Sequence, residues 1–168
     1  EIETLNPDEL ERLAATALRV AGDRALVITC LPGNLREAAD LARRYERIGS
    51  QLMLGMPPLI RAKPPVDLKG VKDYYAELSK VTQVPLMPYN TQGWPAKFFV
   101  ELAEIETIIG IKDPCHFPHE FFRAIELLGD RFVWVGNKKH DPGLAHLRYQ
   151  MGMEGFTSGQ SNFWPEPE

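Results

Sequence analysis

A single lysine closes a short, strongly apolar and β-branched run, Thr107-Ile108-Ile109-Gly110-Ile111-Lys112-Asp113. Burial in a low dielectric disfavours the charged form of an amine. An uncharged amine at a strand end can attack a carbonyl and form a Schiff base. The plainer alternative is a lysine that marks the end of the strand and reaches out to water. Cys115-His116 and His119 follow soon after, but Pro118 interrupts the spacing and no second ligand pair appears. A closed structural zinc site needs four ligands, so a loop leading into a helix is expected here and no metal. Cys115, three residues past Lys112, reads as a small buried side chain near the site rather than a nucleophile.

The elements that would position Lys112 alternate regularly. Asn6-Pro7-Asp8-Glu9 carries an N-cap, a first-turn proline and the glutamate of a capping box, with Leu5 and Leu10 placed as a staple. The helix it opens is predicted to run to Val20. Strands are then expected at 25–31, 51–56, 84–89, 107–112, 131–135 and 153–158, and helices at 35–48, 67–81, 95–105, 118–128 and 142–151. The strands are continuous apolar runs, which suits sheets buried on both faces. Strand and helix in strict alternation predict parallel strands with right-handed crossovers. No glycine-rich nucleotide fingerprint follows any strand, which weakens an open doubly wound sheet. Polar residues gather at strand C-terminal ends: Asn34, Tyr89-Asn90, Lys112-Asp113, Asn137-Lys138, Ser158 and Asn162. Reactive residues on several strand ends are the arrangement of a (β/α)8 TIM barrel. Such a barrel takes about 250 residues and the chain has 168. The expectation is therefore a partial (β/α)8 catalytic domain over residues 1–168, with about six strands, lacking two strands in front and a helical region behind.

Composition narrows the partners. A net charge of −4 without a basic run argues against nucleic acid or an anionic membrane surface. Two distant cysteines fit reduced thiols in the cytoplasm, and no apolar stretch approaches the about 20 residues of a membrane span. The acidic start, Glu1-Ile2-Glu3-Thr4, lacks the pattern of a signal peptide.

Several segments together resemble the dihydrodipicolinate synthase and N-acetylneuraminate lyase family. Glu1 with Thr4-Leu5 looks like the end of its glycine- and threonine-rich segment, and Pro88-Tyr89-Asn90 like its Tyr-Asn strand end. Gly110-Ile111-Lys112-Asp113 is similar to its Schiff-base strand. Gly155-Phe156-Thr157-Ser158-Gly159, with Asn162 and Pro165-Glu166, is similar to its final strand. The likeness spans the chain in order. It implies a (β/α)8 barrel, usually a homotetramer, that needs no cofactor. It also implies that Lys112 condenses with pyruvate or another 2-oxo acid, that Tyr89 shuttles protons, and that Ser158 and Gly159 lie along the substrate. The threonines that hold the substrate carboxylate in the family would precede Glu1, so this stretch expressed alone is expected to turn over little substrate.

The departures matter as much. Synthases of the family carry an arginine shortly after Tyr-Asn; here the residues are Thr91-Gln92-Gly93-Trp94-Pro95. Where they carry a tyrosine pair, this chain has Pro57-Pro58-Leu59. Asn137-Lys138-Lys139-His140 could hold an acidic substrate, with lysine acting as a point charge, or could be a solvated turn. The expectation is a lyase or synthase, by aldol chemistry or dehydration, on a substrate such as a 2-keto-3-deoxy sugar acid. The alternative is a catalytically silent barrel that binds a metabolite or serves as a structural subunit. Tyr74 or Tyr75 and Trp134 are expected in the core; Trp94 could line a pocket or a subunit contact, with burial of its apolar area the favoured expectation.

Overall fold

A computed structural model describes residues 4–59, 66–114, 117–137 and 142–159. Its elements follow one another as α1 (Pro7–Ala21), β1 (Ile28–Leu31), α2 (Leu35–Arg47), β2 (Leu52–Gly55), α3 (Leu68–Ser79) and β3 (Leu86–Pro88). Then come α4 (Ala96–Leu102), β4 (Gly110–Lys112), α5 (Pro118–Leu128), β5 (Val133–Asn137), α6 (Pro142–Gln150) and β6 (Gly155–Thr157). The first helix forms where its cap dictates: the Asn6 side chain accepts from the backbone of Asp8 and Glu9, and Glu9 accepts from the Asn6 N–H at 2.9 Å. Pro118 at the start and Gly129 at the end bound α5 as the sequence predicts.

All strand pairs are parallel and neighbours follow chain order, β1-β2-β3 and β4-β5-β6. Isolated bridges at Leu86↔Ile108 and Tyr89↔Lys112 join the two sheets into one arc. The strands are shorter than the apolar runs suggest, because a strand lasts only while it is paired. Ala25–Val27 precede the first pair, Ile28↔Leu52, and Thr107–Ile109 meet β3 only at a bridge.

Alternation along each strand separates two apolar layers. Leu31, Met53, Leu86, Ile111 and Trp134 point outward and pack beneath the helices in the larger core. Leu52, Leu54 and Met87 point inward and form a smaller cluster with Cys30, Tyr89 and Val135. A thin packed interior inside a thick helix-covered layer is the cross-section of a (β/α)8 barrel. Both Tyr74 and Tyr75 are buried, as is Trp134. Trp94, for which burial is the favoured of two expectations, lies in the core, edge-on to Tyr75, Phe98 and Phe99. The reason is that burying a large indole gains more than lining a wet surface, provided its N–H finds a partner.

Candidate active site

Strands β3 and β4 end side by side, and their last inward-facing residues are Tyr89 and Lys112. The two occupy one parallel bridge, with the Lys112 ammonium 4.2 Å from the centroid of the Tyr89 ring. A cation over a tyrosine face is worth about 0.5–2 kcal/mol, more as water is excluded. Both side chains are partly exposed: they lie where the packed interior opens at the C-terminal mouth of the strands. The amine and the phenol that sequence reasoning picked out on separate strands are thus immediate neighbours.

Backbone contacts fix the pair from both sides. The Tyr89 N–H donates to Gly55 O at 3.0 Å, and the Asn90 N–H to Lys112 O at 2.8 Å. Gly55 O also accepts from the Tyr75 hydroxyl at 2.8 Å. Cys30 faces the same interior. Burial pushes its thiol above the ordinary value, and the positive charge of Lys112 partly opposes that. Sequence reasoning used Cys30 only to infer a redox compartment and missed that it faces the same interior, within electrostatic reach of the lysine.

A buried polar chain lies behind the pair. Asn90 Nδ2 donates to Asp113 Oδ2 at 2.6 Å, and Asn90 Oδ1 accepts from the Trp94 N–H at 2.9 Å. Trp94 Nε1 donates to Gln92 Oε1 at 2.8 Å, and Gln92 Nε2 donates to the carbonyls of Pro58 and Leu59 at 2.6 and 2.9 Å. Leu59 takes a positive φ of 53°, uncommon for a residue with a Cβ, and stands 81% exposed beside these clamped carbonyls. The turn from β3 into α4 closes through Gly93 at φ 71°, where a Cβ would run into the Phe117 ring. Sequence reasoning placed Asp113 at a strand end but gave it no role, and gave none to Gln92. The available signal was period two: Asn90 and Asp113 each follow a candidate residue at a strand end, so both turn to the opposite face.

Of the other candidates, Asn137 ends β5 and pairs with Thr157, two positions beyond Val135, which pairs with Lys112. Ser158, half-buried, and Gly159, exposed, follow the end of β6. The strand order puts Asn137 one strand from Lys112 and Ser158 two strands away. Lys138, Lys139, His140, Cys115, His116, Asn162 and the tail lie outside the described residues. Among the described residues no group of three or more His, Cys, Asp or Glu could hold a metal, and no helix is long and apolar enough to cross a membrane.

Comparison with known proteins agrees with this architecture. A probable 5-dehydro-4-deoxyglucarate dehydratase of Pseudarthrobacter chlorophenolicus is 26% identical over 166 residues, covering 97% of this chain and 54% of that protein. A 4-hydroxy-tetrahydrodipicolinate synthase of Shewanella baltica is 27% identical over 172 residues, covering 99% of this chain and 56% of the other. The crystal structure of a dihydrodipicolinate synthase from Acinetobacter baumannii, complexed with pyruvate, superposes with a TM-score of 0.86. At 24% identity it covers 99% of this chain and 57% of that one. The chain spans about half the length of these relatives, and its arc of six strands is that part of their (β/α)8 barrel. The sequence profile of the dihydrodipicolinate synthetase family matches residues 1–167, and the chain belongs to that family.

Proposed function

We propose that this chain carries the Schiff-base centre of a lyase or synthase acting on pyruvate or another 2-oxo acid. The observation behind it is the bridge at which Lys112 and Tyr89 meet at the strand mouth. The Lys112 amine attacks the C2 carbonyl, water leaves, and the protonated imine formed draws electrons from the adjacent carbon. That carbon can then lose a proton to give an enamine, which either adds to an aldehyde or expels a β-hydroxyl. Forming the covalent imine divides one difficult step into easier ones. Tyr89, on the same bridge, is the group to pass a proton to and from the reacting oxygens. Asn137, Lys138, Ser158 and Gly159 are proposed along the rest of the substrate.

Two features favour a sugar-acid substrate over the aldehyde partner of a synthase. The loop after Asn90 has no arginine to hold a second carboxylate, and its Trp94 is buried instead. Pro57-Pro58-Leu59 supplies no phenol at the end of β2. Dehydration or aldol cleavage of a 2-keto-3-deoxy sugar acid is the reading these support, in line with the dehydratase relative. The proposal requires no metal or organic cofactor, and includes a cytoplasmic homo-oligomer, a tetramer in keeping with the family.

The test is reductive trapping on the full-length protein. Incubation with pyruvate and borohydride should leave a stable adduct on the peptide that contains Lys112, and Lys112→Ala should abolish it. An adduct on Lys138 or Lys139, or none at all, would overturn the assignment.

A further inference from the structure

We infer that Asn90 and Asp113 are positioning residues, a side-chain clasp that sets the register of Tyr89 against Lys112 where the backbone ladder fails. This rests on the reading of Lys112 as the Schiff-base lysine, and deepens it.

Two features interrupt the ladder. In a parallel pair, every second residue of a strand turns its N–H and C=O toward the same neighbour. Leu86 turns toward β4, donating to Thr107 O at 2.8 Å and accepting from the Ile109 N–H at 3.1 Å. Residue 88 must turn the same way, but it is proline and has no N–H to donate. The β4 segment also carries one residue more than the β3 segment between Leu86↔Ile108 and Tyr89↔Lys112, so Ile109 donates its N–H to Leu86 while its C=O accepts from Val133. The regular sheet stops between β3 and β4 and survives there only as isolated bridges. The rung lost lies directly before Tyr89.

Contact resumes at Asn90, which turns toward β4 as Leu86 does. Its N–H reaches Lys112 O at 2.8 Å and its side-chain amide reaches Asp113 at 2.6 Å. These two bonds grip consecutive residues at the end of β4, so a slip of the strand in either direction breaks both. The amide is oriented as well, because the Trp94 N–H occupies its carbonyl. Asn90 and Asp113 are only 3% and 4% exposed. A charge-assisted hydrogen bond at that depth is stronger than one in water. Since side chains alternate across a strand, the clasp sits on the face opposite the reacting pair. It holds Tyr89 and Lys112 from behind without touching the substrate.

Full-length variants trapped with pyruvate and borohydride test this. Asn90→Asp keeps the size of the side chain but turns a carboxylate toward Asp113. Misplacement by about 1 Å can cost about 100-fold in rate. Trapping on Lys112 at saturating pyruvate should slow by about that factor, with the half-saturating concentration changed far less. The exchange variant Asn90→Asp/Asp113→Asn reverses the polarity of the pair. The carboxylate placed at position 90 can still accept the Trp94 N–H, and it can also accept from the amide placed at position 113. This variant should recover most of the lost rate, and because it restores the bond it also covers the case in which Asn90→Asp does not fold. Trapping of the single variant at the wild-type rate overturns the inference, and so does a folded exchange variant that stays as slow as Asn90→Asp. A wild-type protein that traps nothing on Lys112 overturns the Schiff-base reading itself, a result distinct from both.

Discussion

Replacing Gly55 by alanine should strike both the core and the candidate site, and the structure says by how much. A Cβ at Gly55 would lie 2.8 Å from Tyr75 Cε1 and 3.6 Å from its Cδ1. Carbon atoms pack comfortably at about 3.5–4.0 Å, so the ring must retreat by about 0.7 Å, the difference between 3.5 and 2.8 Å. It has nowhere to go. Tyr75 is fully buried, with Tyr74 edge-on at 5.0 Å and Trp94 at 6.2 Å between centroids. Overpacking of this kind costs about 1–3 kcal/mol. Losing the Tyr75 hydroxyl bond to Gly55 O adds about 0.5–1.5 kcal/mol. The smaller entropy of alanine in the unfolded chain returns about 0.4–1 kcal/mol. A net loss of about 1–3 kcal/mol remains. Gly55 O also receives the Tyr89 N–H, so the displaced strand end should slow pyruvate trapping as well. Urea unfolding of the full-length protein, followed by tryptophan fluorescence, measures the first effect. The same substitution made in a Tyr75→Leu background, where both the ring edge and the hydroxyl bond are gone, should cost at least about 1.5 kcal/mol less, within the coupling range expected of residues in contact. Equal costs in the two backgrounds would refute the steric account.

The Cys30 thiol is held above its ordinary value of 9.0 by burial, with Lys112 opposing. Its alkylation by iodoacetamide, followed on the Cys30 peptide, should therefore inflect above pH 9.0. Lys112→Ala should move the inflection higher still, because it removes the cation that favours the thiolate; a downward move would contradict the placement of the two groups. The linked effect on stability has one sign: the thiol's contribution is present below the unfolded value and is lost as pH rises through the folded one. Near the start of the chain, Asn6→Ala removes both acceptor contacts of the cap on α1. The loss should be about 1 kcal/mol in urea, whereas Asn6→Ser should retain most of the stability.

What could be read from the sequence divides along a physical line. The bounds of α5 were legible because proline and glycine act locally, at Pro118 and Gly129. The order of helices and strands was legible because burial on both faces leaves an unbroken apolar run. Strand ends were not, since pairing decides them, and the partner lies far along the chain, as Ile28↔Leu52 shows. Lys112 and Tyr89 were legible as chemistry, at strand ends in a family-like context. Their shared bridge follows only from the parallel strand order. The roles of Asp113 and Gln92 stayed hidden for the same reason: a carboxylate or amide after a strand looks like a solvated loop until the fold buries it. Trp94 shows the converse: its loop position left a pocket open as a reading, but the size of the indole favoured burial, and it closes the core.

Pro88 then stands out as an exchange of one kind of specification for another. A regular rung between β3 and β4 would add a neutral backbone hydrogen bond, worth about 0.5–1.5 kcal/mol net. The bond of the Asn90 amide to the buried Asp113 carboxylate is worth about 1.5–3 kcal/mol, so the side-chain clasp offsets the missing rung. The two differ in what they specify. A backbone rung is indifferent to residue type and can re-form one step along the ladder. The clasp exists only in the register that brings residue 90 against residue 113. That register is also the one that brings Tyr89 beside Lys112, so the alignment of the candidate pair is written in side chains on the hidden face of the same two strands.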